Sequence, residues 1–127
     1  MTTTPLYDLL ALCPACECVI MIDLRASTVL QHAALLETPQ EQLEGHLRRA
    51  TDLFQAAQAR SAVALVLSDP WGLRFFVPQH DGDLCLCLLV GAPVERHHLE
   101  ALLTGARDLL HRLGGEGDGP SALRISA

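Results

Sequence analysis

The chain has no lysine: all nine basic residues are arginine, and fifteen carboxylates bring the formal net charge to -6. That balance fits nucleic acid poorly, because phosphate binding needs a positive field and counterion release. Long apolar stretches are also missing. The longest unbroken run, Leu84 to Val90, falls far short of the roughly 20 residues that span a bilayer. The opening Met1-Thr2-Thr3-Thr4-Pro5 has no basic stretch followed by an apolar one, so neither export by a standard signal nor a membrane span is expected. Catalytic signatures are absent too. There is no Gly-rich phosphate loop, no G-x-S-x-G elbow and no carboxylate pair in helical register with a histidine base. The glycines of Gly114-Gly115-Glu116-Gly117-Asp118-Gly119 lack the Lys and the strand-to-helix setting that a phosphate loop requires. No enzymatic activity and no cofactor are expected.

What is present is a core. Half of the 127 residues are hydrophobic and only 19% are charged, a balance that does not stay disordered. A chain of this size buries about two thirds of the surface its unfolded form exposes. One domain over residues 1–115 is expected, followed by a Gly-rich, polar and mobile tail, 116–127.

Thr4 and Pro5 mark a helix start, and Leu6, Leu9, Leu10 and Cys13 recur at helical spacing until Pro14 stops the pattern. Glu17 to Asp23 and Thr28 to Ala33 read as two strands joined by a turn at Leu24-Arg25-Ala26-Ser27. Thr38-Pro39-Gln40-Glu41 combines a cap, a first-turn proline and the acidic residue of a capping box, together worth on the order of 1 kcal/mol. Behind it Leu43, Leu47, Ala50, Phe54 and Ala57 mark one buried face of a helix from Glu41 to Gln58. A second stripe, His46, Arg49, Leu53 and Ala56, has the mixed chemistry of a partly covered surface. Strand-like runs follow at Ala62 to Leu67, Leu73 to Gln79 and Leu84 to Val90, separated by Asp69-Pro70-Trp71-Gly72 and by His80-Asp81-Gly82-Asp83, both turn signals. Pro93 is placed at the start of a last helix, with Leu99, Leu102, Ala106, Leu109 and Leu113 facing inward until Gly114-Gly115. Cys18 to Ile22 and Leu84 to Val90 do not alternate, which implies a sheet covered on both faces.

Five cysteines invite a metal reading. Only one C-x-x-C pair exists, Cys13 with Cys16, where a structural zinc site usually uses two. Cys18, Cys85 and Cys87 fall inside strands, where a thiol packs as a small hydrophobe. His97 and His98 are adjacent and point about 100° apart on a helix, and neither has a partner four residues on with which to share a metal. Trp71 is the sole tryptophan, placed at a hairpin tip as either a partner anchor or a cover for its own core. Ala62 to Leu67 carries no charge and no proline. At a sheet edge such a strand is an aggregation hazard unless paired, for example with its own copy; in the sheet centre it needs no cover.

From Pro5 to Leu113 the chain resembles the roadblock family of dynein light chains, bacterial polarity regulators and lysosomal scaffold subunits. The resemblance rests on the order of elements and on Leu9-Leu10-Ala11-Leu12 leading into Cys18-Val19-Ile20-Met21-Ile22-Asp23. It rests also on the capped helix Glu41 to Gln58, and on Arg74-Phe75-Phe76-Val77 followed by Asp81-Gly82-Asp83-Leu84. The family's Asp-x-x-Gly turn reads Asp23-Leu24-Arg25-Ala26 here. The resemblance implies an α/β (α+β) fold, helix-strand-strand-helix-strand-strand-strand-helix, with a five-stranded antiparallel sheet of order 2-1-5-4-3 and helices on both faces. It implies a homodimer through strand three and the middle helix, placing Val63, Leu65, Leu67, Leu53 and Ala56 at the seam. It further implies a cytoplasmic, non-enzymatic adaptor for a small Ras-like GTPase or a larger complex, with His46, Arg49, Asp52 and Trp71 as partner-facing candidates. A second reading is a type III secretion chaperone-like accessory protein, since small acidic α/β dimers also serve there. A third is a metal or redox protein built on Cys13 and Cys16.

Overall fold

The computed structural model describes residues 4–55, 65–69, 72–80 and 82–115. The chain order is α1 (Thr4–Leu12), β1 (Cys16–Asp23), β2 (Thr28–Ala34), α2 (Gln40–Gln55), β3 (Leu65–Asp69), β4 (Gly72–Pro78), β5 (Leu84–Gly91) and α3 (Arg96–Gly115). The five strands form one antiparallel sheet of order β2-β1-β5-β4-β3. The expected residues 56–58 of the middle helix, 62–64 of strand three and the tail 116–127 lie outside the described residues.

Two apolar layers sandwich the sheet. Val19, Met21, Phe75, Val77, Leu86 and Leu88 turn toward Leu6, Leu9 and Leu10 of α1 and Leu102, Ala106, Leu109 and Leu110 of α3. Cys18, Ile20, Ile22, Phe76, Cys85 and Cys87 turn the other way, against Leu43, Ala50 and Phe54 of α2. Alternation along β1 and β5 thus feeds both layers, and their sequences read as continuous apolar runs for that reason. One buried polar side chain ties α3 to the β4–β5 hairpin. Gln79 donates from Nε2 to the Leu110 carbonyl at 2.9 Å and accepts a longer bond, 3.4 Å, from the Leu84 N–H.

A bulge in β1 sorts the cysteines between the two layers. Cys16 pairs with Val90 and Cys18 with Leu89, so Glu17 is the extra residue. That extra residue moves Cys16 to the opposite face from Cys18, instead of the same one. Cys13 and Cys16 accordingly belong to the α1–α3 layer, and Cys18, Cys85 and Cys87 to the α2 layer. All five are free, buried thiols. Burial pushes Cys16 and Cys85 up to about 12, and it raises Cys18 and Cys87 as well.

Helix starts differ from expectation. The Thr38 hydroxyl donates to the Leu36 carbonyl at 3.4 Å and lies 4.0 Å from Cys18 Sγ, while the Pro39 carbonyl receives the Gln42 and Leu43 N–H groups at 3.0 and 3.2 Å. Pro39 therefore takes the capping position, and Thr38 is drawn toward β1. The last helix begins at Arg96, not Pro93, because its first acceptor is the Glu95 carbonyl, bonded to Leu99 N–H at 3.1 Å. In the β1–β2 turn, Asp23 Oδ1 accepts the Ala26 N–H at 3.0 Å, and Ser27 takes φ 53°. The left-handed residue is thus Ser27, one position beyond the place where the family's turn has glycine.

Two outcomes follow from these features. Ser27→Gly relieves a left-handed residue that costs an L-side chain roughly 1–2 kcal/mol, partly offset by glycine's greater unfolded-state entropy. Urea unfolding should therefore show a gain of about 0.5–1 kcal/mol, and an unchanged midpoint would mean that the turn is unstrained. The thiols supply a pH signature. Their folded values lie above the ordinary 9.0, so unfolded chains release these protons first. Stability is then fully present below pH 9 and lost as pH rises from about 9 toward 12. At pH 8 a disulfide reagent should modify the native thiols far more slowly than the denatured ones; prompt reaction of Cys16 or Cys85 would contradict their burial.

Candidate functional site

On the α2 side the helix leaves part of the sheet open. A groove of about 520 Å³ runs between α2, through Gln42, His46 and Arg49, and the strands, through Glu17, Arg74 and Leu89. Helical spacing explains one wall: residues 42, 45, 46 and 49 recur at intervals of three and four, on a single stripe. Strand alternation explains the other. Arg74 lies on the same face as Phe76, paired with Leu67 of β3 and Leu89 of β5. The bulge at Glu17 brings its carboxylate to the rim. Gly72 closes the end of the groove, where a Cβ would run into the Val90 carbonyl, so this close approach of two strands needs glycine.

His46 is half-buried, with Nδ1 3.4 Å from Arg74 Nη1. Arg49 is exposed beside it. Two guanidinium groups, which stay charged at any working pH, thus converge with an imidazole and a carboxamide against one carboxylate. Inside a chain of net charge -6, this is a local basic surface, suited to forked recognition of carboxylates.

The candidate residues divide as follows. His46 and Arg49 line the groove together. Asp52 is exposed further along α2 and outside that lining. Leu53 and Leu67 are half-buried against the α2-side core. Leu65 lies in β3, opposite Phe76. Val63, Ala56 and Trp71 fall outside the described residues. Cys13 and Cys16 lie in the core on the far side of the sheet. Arg74 and Glu17 were not among the sequence candidates. Arg74 had a visible signal, as the lone charge inside the apolar strand Leu73 to Val77. Glu17 had none, because the bulge that aims it is a tertiary feature. Glu95, His97 and His98 form the one grouping of potential metal ligands among the described residues, and sequence reading had set those histidines apart. No helix among the described residues is long and apolar enough to cross a membrane.

Comparison with known proteins finds no matching family model and no matching curated protein. Solved structures do match. A roadblock/LC7 domain from Streptomyces avermitilis superposes with a TM-score of 0.71 at 12% identity, covering 88% of this chain and 93% of that one. MglB in a tetrameric arrangement gives 0.66 at 15% identity, over 87% and 85% of the two chains. MglC from Myxococcus xanthus gives 0.55 at 12% identity, over 84% and 96%. Identity is low while the folds superpose, and on that ground this chain has the roadblock fold.

Proposed function

We propose that this chain is a non-enzymatic, cytoplasmic adaptor that works as a homodimer and receives a small Ras-like GTPase on the surface around α2. The observation that carries the reading is the position of β3. Among the described residues it ends the sheet, paired with β4 on one side, and its Leu67 pairs with Arg74, which lines the open groove. An apolar edge strand of this kind needs a partner. Val66 is 55% exposed at that edge. A second copy related by a two-fold axis supplies the missing strand and brings a second α2 beside the first. Val63, Leu65 and Leu67, with Leu53 and Ala56, then form the seam. Its area must approach about 1,600 Å² for a lasting dimer.

Partner recognition is assigned to the basic side of α2. His46 and Arg49, joined by Arg74, offer a positive surface on an acidic protein, with Asp52 and Trp71 as further contacts. The complementary partner surface is acidic. Charge pairing across a rim of this sort sets association rate and discrimination more than raw affinity. The reading as non-enzymatic rests on the chain's lack of a nucleophile elbow or phosphate loop.

Native mass under reducing conditions should equal twice the 13.7 kDa chain. Val66→Asp sets like charges against each other across the two-fold axis and should give a folded monomer; a wild-type monomer at micromolar concentration would end the edge-pairing reading. The GTPase assignment is tested separately with host Ras-like GTPases as bait. GTP-analogue-loaded and GDP-loaded forms should recover the protein unequally, and Arg49→Glu should weaken the preferred capture by about tenfold or more, or roughly 1.4 kcal/mol. Equal recovery in both nucleotide states, or none, defeats it.

A further inference from the structure

We propose that Glu95, His97 and His98, at the start of α3, form a binding site for a divalent transition-metal ion. Their ligating atoms all lie within 4.8 Å of one another. His97 Nδ1 is already 3.5 Å from Glu95 Oε1, close to the separation of two ligands that share an ion at about 2.0–2.2 Å. The two imidazole rings sit 4.1 Å apart, centroid to centroid, tilted by 44°. Adjacent helical residues ordinarily diverge by about 100°. Here both rings approach one carboxylate, because Glu95 precedes the helix and its backbone is fixed there by the bond from Leu99 N–H to its carbonyl.

Two imidazoles and a carboxylate suit zinc, nickel or copper better than magnesium or calcium, which prefer oxygen alone. The neighbouring cation does not compete for the carboxylate, since Arg96 is turned to Glu100 at 3.2 Å. Access is open: the Glu95 and His97 side chains are each 69% exposed, and His98 is half-buried. The positive end of the helix dipole opposes a cation, and the Glu95 carboxylate supplies the compensating charge. Three protein ligands leave coordination positions for water or for a donor from another molecule.

The test uses the full-length reduced protein titrated with zinc chloride by calorimetry, and with cobalt chloride by absorption. One ion per chain should bind with micromolar affinity. His97→Ala and His98→Ala should each weaken binding by about tenfold or more, and Glu95→Gln should weaken it as well. Cys13→Ser with Cys16→Ser should leave it unchanged, and cobalt spectra should lack a thiolate charge-transfer band. These ligands are surface side chains, so circular dichroism should confirm that the variants are folded. Absence of saturable binding below about 100 μM, binding that survives loss of both histidines, or a thiolate band would each overturn the proposal.

Discussion

β1 and β5 have no polar face. Val19 and Met21 point one way and Cys18, Ile20 and Ile22 the other, while Leu86 and Leu88 oppose Cys85 and Cys87; all are buried. Removing one large aliphatic side chain from water is worth about 1.5–3 kcal/mol, against a net stability of only about 5–15 kcal/mol for an ordinary domain. Uncovering either face of two adjacent strands would therefore cost an amount comparable to the whole stability. A helical layer on each side is the arrangement that this pair of strands permits, and the positions of α1, α2 and α3 follow from it.

The same constraint decides where polarity is tolerated. Among the described residues no carboxylate or guanidinium group belongs to the two packed layers, and Arg74, in the middle of β4, opens onto the groove. Gln79 is the exception, buried but bonded to the Leu110 carbonyl. Buried polar groups are affordable only when satisfied, and they then restrict how their elements dock. Gln79 thereby couples the register of the β4–β5 hairpin to the placement of α3.

Element types and the doubly covered sheet were legible because they depend on periodicity, which a sequence displays directly. Positions that depend on the path of the backbone were not. The capping box at Thr38 is a good local signal, yet the hydroxyl turns to Leu36 and toward Cys18 Sγ, a neighbour twenty residues away. Regular alternation would put Cys16 and Cys18 on one face, but the bulge at Glu17 separates them. Placing Pro93 at the first helical position assumed a helix through Glu95, and that assumption concealed the approach of Glu95 to the two histidines. Among the candidate site residues, His46 and Arg49 were legible as a helical stripe. Arg74 could not be joined to them without knowing which face of β4 turns toward α2.

A width argument connects the core to the surface proposed to act. Five strands at about 4.8 Å spacing make a sheet on the order of 24 Å across, and a helix with its side chains is about 10–12 Å thick. Two helices therefore cover one face, as α1 and α3 do. A single helix on the other face cannot. α2 packs on side chains of β1 and β5 and on Phe76 and Leu67, and the groove stays open between it and the strands at Glu17, Gly72 to Arg74, Leu89 and Val90. The open groove is thus a consequence of placing one helix on a face that two would cover. In the proposed dimer a second copy, joined edge to edge along β3, would set its own α2 across the seam from the first. The proposed pairing of β3 would cover the exposed Val66 edge, and the groove, with the basic stripe of α2 along it, would be left for a different partner.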